Sequence, residues 1–115
     1  MKLTKEQQNQ VNKIGRKYDL KFILIYGSFA TNNARPGSDF DVAVLGNKEI
    51  GFKTLLAIHG ELSGVFGDNK DRELDLKSLH GAGTLFLRHV TRDGILIYGN
   101  QTDFYNFQAY GYKRY

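Results

Sequence analysis

The sequence of 115 residues contains no cysteine, which excludes disulfide bonds, thiolate metal sites and cysteine nucleophiles. It also has no long hydrophobic stretch. The longest strongly apolar run, residues 22–26, is far below the roughly 20 residues that cross a bilayer as a helix. Residues 1–13 are polar and lack the apolar centre of a signal peptide. These absences predict a cytoplasmic protein with no membrane partner.

Several common catalytic motifs are absent as well. The glycine-rich turns lack the lysine of a Walker-type loop, which argues against an ordinary ATPase. No serine is spaced with a histidine and an acid as a nucleophilic triad requires. His59, His80 and His89 are not spaced as a metal cluster, so we expect core or surface positions for all three.

Charge gives a weaker indication of partners. The formal net charge is +4 and the isoelectric point is about 9.3, but no run of five or more basic residues occurs. A nucleic-acid-binding protein more often concentrates its basic residues in a stripe. A solvated basic surface is therefore favoured over direct nucleic-acid binding, with an acidic partner protein or nucleotide phosphates as the alternatives.

The length allows one domain, residues 1–115, with a single core. Hydrophobic periodicity predicts alternating helices and strands, with Thr4 as the cap of the first helix. The predicted helices cover residues 5–18, 48–66 and 84–92, with a helical turn at 29–33. The predicted strands cover Leu20–Tyr26, 39–45, 73–79 and Ile95–Tyr98. This order predicts an α/β (α+β) fold with a small mixed sheet of about four strands flanked by helices.

The second predicted helix contains two glycines, and the third has a predicted inward face. Gly60 and Gly64 interrupt the pattern of the second helix and weaken the prediction of its end. The third helix is expected to direct four side chains inward: Leu85, Phe86, His89 and Val90.

The most informative local pattern is Gly27-Ser28 followed, after ten residues, by Asp39-Phe40-Asp41. Strand geometry directs Asp39 and Asp41 to the same side. Two carboxylates so close repel each other unless one is protonated or a cation lies between them, and Mg²⁺ is the usual cation at such a site. The Gly27-Ser28 turn offers N–H groups and a hydroxyl for phosphate oxygens. The pattern predicts a site for a nucleoside triphosphate and its metal, although an Asp-any-Asp pair alone is common in exposed turns.

A third carboxylate, Asp75, joins this pair if the third strand lies beside the second. Three carboxylates outline a two-metal site, in which one Mg²⁺ accompanies the triphosphate and a second activates the attacking hydroxyl. Lys77 shares a strand face with Asp75 and is a candidate to hold a phosphate or the leaving pyrophosphate, as is Arg35 in the loop before the second strand. The ordinary alternative is that Asp75 and Lys77 are solvated residues of an edge strand.

Three segments, YGSFA, GSDFDVAVL and ELDLKSL, resemble the signature pieces of the minimal nucleotidyltransferases, within the DNA polymerase β-like superfamily. A further segment, GTLFLRHVTRDGILIYG, resembles the helix and final strand of the short antitoxins encoded beside HEPN-domain toxins. The resemblance implies that Gly27 and Ser28 hold the nucleotide. It also implies that Asp39, Asp41 and Asp75 are the catalytic, metal-binding carboxylates.

The resemblance further implies transfer of AMP, or another nucleotidyl group, from a nucleoside triphosphate such as ATP to a tyrosine of a HEPN ribonuclease toxin, with Mg²⁺ as cofactor. Two features depart from the family. Thr31 and Asn32 stand where many relatives have a basic residue and glycine, and the length leaves no room for a domain that selects the acceptor. The acceptor is therefore expected to be positioned largely by another molecule.

Two other functions stay open. The chain is alternatively an antitoxin that acts mainly by tight binding with little catalysis, or a transferase for a small molecule such as an aminoglycoside. The aromatic segment 103–115 also has two interpretations, as a last helix packed on the domain's own core or as anchors at a partner interface. Its aromatic residues are Phe104, Tyr105, Phe107, Tyr110, Tyr112 and Tyr115.

Overall fold

The computed structural model describes residues 1–110, and within them it contains four α-helices and one four-stranded sheet. The helices are α1 (Lys5–Lys17), α2 (Phe52–Phe66), α3 (Thr84–Asp93) and α4 (Gln101–Tyr110). The strands are β1 (Leu20–Tyr26), β2 (Phe40–Gly46), β3 (Leu74–Ser78) and β4 (Ile95–Tyr98). A single 3₁₀ turn, Gly27–Phe29, follows β1 and is called the Gly27 turn below. The predicted α/β class with a small mixed sheet is confirmed.

The strand order in the sheet is β3-β2-β1-β4. Strand β1 pairs antiparallel with both β2 and β4, whereas β2 pairs parallel with β3. Parallel neighbours need a crossover connection, and α2 provides it between β2 and β3. Because the two strands run in the same direction, their first residues lie side by side, which sets the position of the candidate site.

Helices cover both faces of the sheet, and the sheet separates two apolar cores where a single core was predicted. The face covered by α1 and α2, called the scaffold face, packs strand residues such as Phe40 and Val42 against Val11 of α1 and Leu62 of α2. The face covered by α3 and α4 is called the carboxylate face, because Asp41 and Asp75 project from it. Its buried residues include Phe22 and Leu45 from the strands, Leu87 and Val90 from α3, and Phe104 and Phe107 from α4.

Local signals account for the first helix. The Thr4 hydroxyl accepts a hydrogen bond from the Gln7 backbone N–H at 3.1 Å, and the Thr4 backbone N–H donates to Gln7 Oε1 at 3.0 Å. This reciprocal capping box satisfies N–H groups that the first helical turn leaves without partners. The predicted cap at Thr4 is therefore confirmed, and α1 ends one residue earlier than predicted.

Several predicted details were wrong. Strand β2 begins at Phe40 instead of residue 39, the helical turn lies at Gly27–Phe29 instead of 29–33, and α2 begins at Phe52 instead of residue 48. Helix α2 also runs through Gly60 and Gly64 without interruption, since both positions face open space and the packing of Ile58 and Leu62 holds the helix.

The orientation of α3 differs from the prediction. Leu85 is 82% exposed and His89 is also exposed, while Leu87, Val90 and Thr91 are buried. Apolar residues occupy more than one side of this helix, so periodicity alone did not determine which side faces the core.

Helix α4 packs on the domain's own core through Phe104 and Phe107, whose ring centroids lie 5.7 and 5.5 Å from that of Phe22. Tyr105 is 68% exposed. The aromatic residues Tyr112 and Tyr115, and the side chain of Tyr110, lie outside the described part of the chain. Among residues 1–110, none of the helices is both long enough and apolar enough to cross a membrane.

Candidate active site

The parallel pairing of β2 with β3 places Asp41 directly opposite Asp75. On its other side Asp41 is opposite Tyr26, the last residue of β1. Since paired residues of neighbouring strands project to the same face, these three side chains form a row across the carboxylate face. Asp39 lies one residue before β2 and is exposed. The expectation that the third strand lies beside the second is therefore confirmed.

The Asp41 carboxyl is affected by the other two carboxylates. Partial burial raises its pKa above the ordinary value, and the charges of Asp75 and Asp39 raise it further. Lys77 and His89 act in the opposite direction. Mutual repulsion of this kind is what a bound cation relieves, so the row has the electrostatic character of a cation site.

The Gly27 turn lies directly against the Asp41 side chain. Gly27 has φ +74°, and a Cβ built on it would collide with Asp41 Oδ2. Hydrogen bonds from the N–H groups of Ala30 and Thr31 to the Gly27 carbonyl, at 3.1 and 3.3 Å, close the turn. Glycine at this position therefore lets the turn and the Asp41 carboxylate share one small space.

Ser28 is the second residue of the turn and is partly buried. Within residues 1–110 its hydroxyl makes no hydrogen bond, so it remains available to a phosphate oxygen. The Thr31 hydroxyl, in contrast, donates to the Gly27 carbonyl at 3.3 Å. Thr31 is thus part of the turn's own hydrogen bonding.

Lys77 and Arg35, the two residues predicted to hold phosphates, lie in different surroundings. Lys77 Nζ lies 3.6 Å from Asp75 Oδ1, and both side chains are partly exposed, so the lysine is at the edge of the carboxylate row. Arg35 lies in the exposed loop before β2, where its backbone N–H donates to Ser38 Oγ at 2.9 Å. In the described residues no ion pair joins its guanidinium to a carboxylate.

Across residues 1–110, no three side chains of His, Asp or Glu are arranged as ligands of one metal ion. Mg²⁺ is commonly held by one or two carboxylates together with substrate phosphates, without a cage made only of protein groups. Asp41 and Asp75 are oxygen donors whose proximity raises the Asp41 pKa. The donor chemistry therefore fits Mg²⁺ that arrives with a nucleotide.

Sequence reasoning assigned no role to Tyr26, which belongs to this row, or to His89, which lies beside it. Tyr26 is 5% exposed, and burial together with the Asp41 and Asp75 charges raises its pKa. Its ring packs edge-on against Phe86 and His89, with centroids 5.5 and 6.2 Å away. Tyr26 could have been found as the last strand residue before Gly27, but His89 depends on the rotation of α3, which the sequence does not reveal.

The chain is similar to known proteins in sequence and in fold. The family described as "Polymerase beta, Nucleotidyltransferase" matches residues 9–103. The chain is 36% identical over 91 residues to the protein adenylyltransferase MntA of Aphanizomenon flos-aquae (strain 2012/KM1/D3), which covers 73% of this chain and 60% of that protein. The chain therefore spans about three fifths of the length of this curated relative.

Solved structures share the fold. A crystal structure of a toxin-antitoxin with AMP-PNP has a TM-score of 0.71 at 25% identity, covering 89% of this chain and 81% of that chain. A complex of tri-AMPylated Shewanella oneidensis HEPN toxin with MNT antitoxin gives 0.66 at 24% identity, with 90% and 79% covered. Spectinomycin adenyltransferase from Enterococcus faecialis, with ATP and spectinomycin, gives 0.60 at 21% identity, with 84% and 56% covered.

Proposed function

Because the chain belongs to the polymerase beta nucleotidyltransferase family, we propose that it transfers AMP from ATP to a tyrosine of a HEPN-type toxin and so acts as the antitoxin. The observation that carries the proposal is the position of Asp41, which touches the Gly27 turn and is paired with Asp75. A turn for phosphates and a pair of carboxylates for their metal are thus adjacent. The 36% identical relative is a protein adenylyltransferase.

In the proposed reaction the phenolic oxygen of the acceptor attacks the α-phosphorus of ATP. A new oxygen–phosphorus bond forms, and the bond between the α-phosphorus and the α–β bridging oxygen breaks. Pyrophosphate leaves with the bridging oxygen, and the phenolic proton is released to water. The products are the adenylylated tyrosine and pyrophosphate.

The residues of the chain take separate roles in this proposal. The N–H groups of the Gly27 turn and the Ser28 hydroxyl hold phosphate oxygens. Asp39, Asp41 and Asp75 hold Mg²⁺, which when bound neutralises the triphosphate and stabilises charge in the transition state. Lys77 and Arg35 neutralise the leaving pyrophosphate. Positioning and charge neutralisation are most of what phosphoryl transfer asks of a protein, so a domain of this size is sufficient.

A protein acceptor is favoured over a small molecule. Spectinomycin adenyltransferase is 21% identical to this chain and shares only its fold. The protein adenylyltransferase is 36% identical in sequence. The toxin-antitoxin structures add relatives of the same fold whose partner is a HEPN toxin. These observations support the toxin as acceptor and ATP as donor.

The test uses the HEPN protein whose gene lies nearest to the gene for this chain. Its intact mass is measured after incubation with the chain, Mg²⁺ and each nucleoside triphosphate in turn. ATP is expected to add whole AMP units. The double variant Asp39→Asn, Asp41→Asn is expected to add none. The double variant Asp71→Asn, Asp103→Asn makes the same change of charge at exposed positions and should act as the parent chain does.

Two outcomes would overturn the proposal. A stable complex with the toxin, without any gain in mass, would make the chain an antitoxin that acts by binding. Nucleotidyl transfer to spectinomycin or a related compound, with no toxin present, would make it a small-molecule transferase. Thermal unfolding of both double variants checks that loss of transfer is not loss of the fold.

A further inference from the structure

A groove of about 740 Å³ lies between α3 and α4 on the carboxylate side of the molecule. Gln108 of α4 donates a hydrogen bond from Nε2 to the Thr91 carbonyl of α3 at 2.8 Å and so joins the two helices at the groove. The groove is therefore a preformed feature of the packing between α3 and α4.

The groove combines positive charge with one apolar side chain. Arg88 is exposed, and its guanidinium has no ion-pair partner among residues 1–110. Arg92 is 72% exposed and pairs with Asp93 at 2.9 Å, so only one of the two arginines is paired with a carboxylate. Leu85, which is 82% exposed, lines the same groove. This composition complements a segment that carries acidic residues and an apolar side chain.

His89 lies between the groove and the candidate active site. This residue lines the groove, and its ring lies against that of Tyr26 with centroids 6.2 Å apart. Tyr26 is in turn the strand partner of Asp41. A chain segment lying along the groove would therefore have one of its side chains beside the carboxylate row.

We infer that this groove binds the acceptor segment of the protein substrate, with acidic residues of that segment at Arg88 and Arg92, an apolar residue on Leu85 and the acceptor tyrosine beyond His89. The inference rests on the proposed function, since it names the surface by which a protein acceptor reaches the carboxylates. Two arginines do not make the longer basic stripe that tracks a nucleic-acid backbone, so a peptide segment is the favoured occupant.

The test uses two synthetic peptides, one with a tyrosine flanked by glutamates and a leucine, and one with lysines in place of the glutamates. Fluorescence anisotropy measures their binding to the full chain. The parent chain is expected to prefer the glutamate peptide, and Arg88→Glu should weaken that binding by about fivefold and favour the lysine peptide instead. Leu85→Ala should weaken both peptides by about fivefold, because one exposed leucine loses its contact.

Matched controls come from α2, which lies behind the other face of the sheet. Lys53→Glu repeats the charge reversal and Leu56→Ala repeats the truncation, both at exposed positions, and neither should change peptide binding. With the HEPN toxin as acceptor, Arg88→Glu is expected to raise the KM for the toxin and to leave the KM for ATP unchanged. A merely structural role of Arg88 would alter both constants.

Three results would overturn the inference. The first is equal binding of the two peptides by the parent chain. The second is tighter binding of a single-stranded RNA oligonucleotide than of the glutamate peptide, and the third is dissociation of a dimer of this chain by Leu85→Ala. The first result would mean that the groove binds no specific ligand. The second would assign the groove to a nucleic acid, and the third to a second copy of this chain. Failure of the proposed function has a different signature, namely preferential binding of the glutamate peptide without AMP transfer to the toxin.

Discussion

The two faces of the sheet carry different kinds of side chain, although the same strands contribute to both. On the scaffold face, β2 contributes Phe40, Val42 and Val44, all with 0% exposure. On the carboxylate face the same strand begins with Asp41 and continues with the buried Ala43 and Leu45. Because side chains alternate along a strand, β2 contributes to stability on one side and to the candidate site on the other.

The carboxylate face is itself divided along the strands. Its polar row lies where β2 and β3 begin and β1 ends. Further along, Ala43, Leu45 and Leu79 are buried under α3 and α4. The comparison predicts that substitutions on the scaffold face change stability, whereas substitutions in the row change chemistry with little effect on stability.

The largest effect on stability is expected on the scaffold face. Phe40 has 0% exposure, and its ring lies 5.3 Å from that of Phe29 and 4.9 Å from that of Phe66. Phe40→Ala should lower the free energy of unfolding by about 3 to 5 kcal/mol, because it leaves a cavity among aromatic rings. Urea unfolding followed by circular dichroism measures this change.

Phe52→Ala is the matched control, since Phe52 is 66% exposed at the start of α2. Its cost should stay below about 0.5 kcal/mol, as for most surface substitutions. If the two phenylalanine variants lost equal stability, the scaffold face would not be the main source of the stability of the fold.

A substitution in α2 is expected to raise the free energy of unfolding, by less than Phe40→Ala lowers it. Gly60 is helical and exposed, and no atom lies within 4 Å of where its Cβ would be. Gly60→Ala should therefore raise the free energy of unfolding by about 0.5 to 1 kcal/mol, because alanine loses less backbone entropy in a helix. Gly27→Ala is the contrasting variant, since its Cβ would collide with Asp41, and a gain of stability there would contradict the geometry of the turn.

Sequence patterns predicted the parts of the molecule that depend on local alternation. Alternation within β2 and β3, together with the assumption that they are neighbours, was enough to place Asp41 and Asp75 on one face. The Gly27-Ser28 turn was also located from its position after a buried strand. These features depend on a short-range period that the chain itself specifies.

The remaining features depend on packing between distant segments. Leu85 and Leu87 are equally hydrophobic, yet Leu85 is 82% exposed and Leu87 is 1% exposed, because only the fit of α3 against the sheet distinguishes them. His89 was therefore placed incorrectly among the inward residues. For the same reason, the glycines of α2 suggested an interruption that tertiary packing overrides.

The smallest effect on stability is expected in the carboxylate row. Burial, Asp75 and Asp39 raise the pKa of the Asp41 carboxyl in the folded chain, so the folded state holds this proton more tightly than the unfolded state does. The free energy of unfolding therefore falls as the pH rises from the ordinary carboxyl pKa through the raised one. Asp41→Asn removes this penalty and should be slightly stabilising at about pH 7 and neutral at about pH 3.

Urea unfolding of the parent chain and the Asp41→Asn variant, in EDTA and across this pH range, measures the difference. Exposed Asp71 provides the control, because Asp71→Asn makes the same substitution away from the carboxylate row. The same Asp41→Asn variant should lose AMP transfer by at least about a hundredfold. If the variant were instead destabilised at neutral pH, Asp41 would stabilise the fold as the scaffold residues do. The proposed difference between a face that gives stability and a row that gives chemistry would then be wrong.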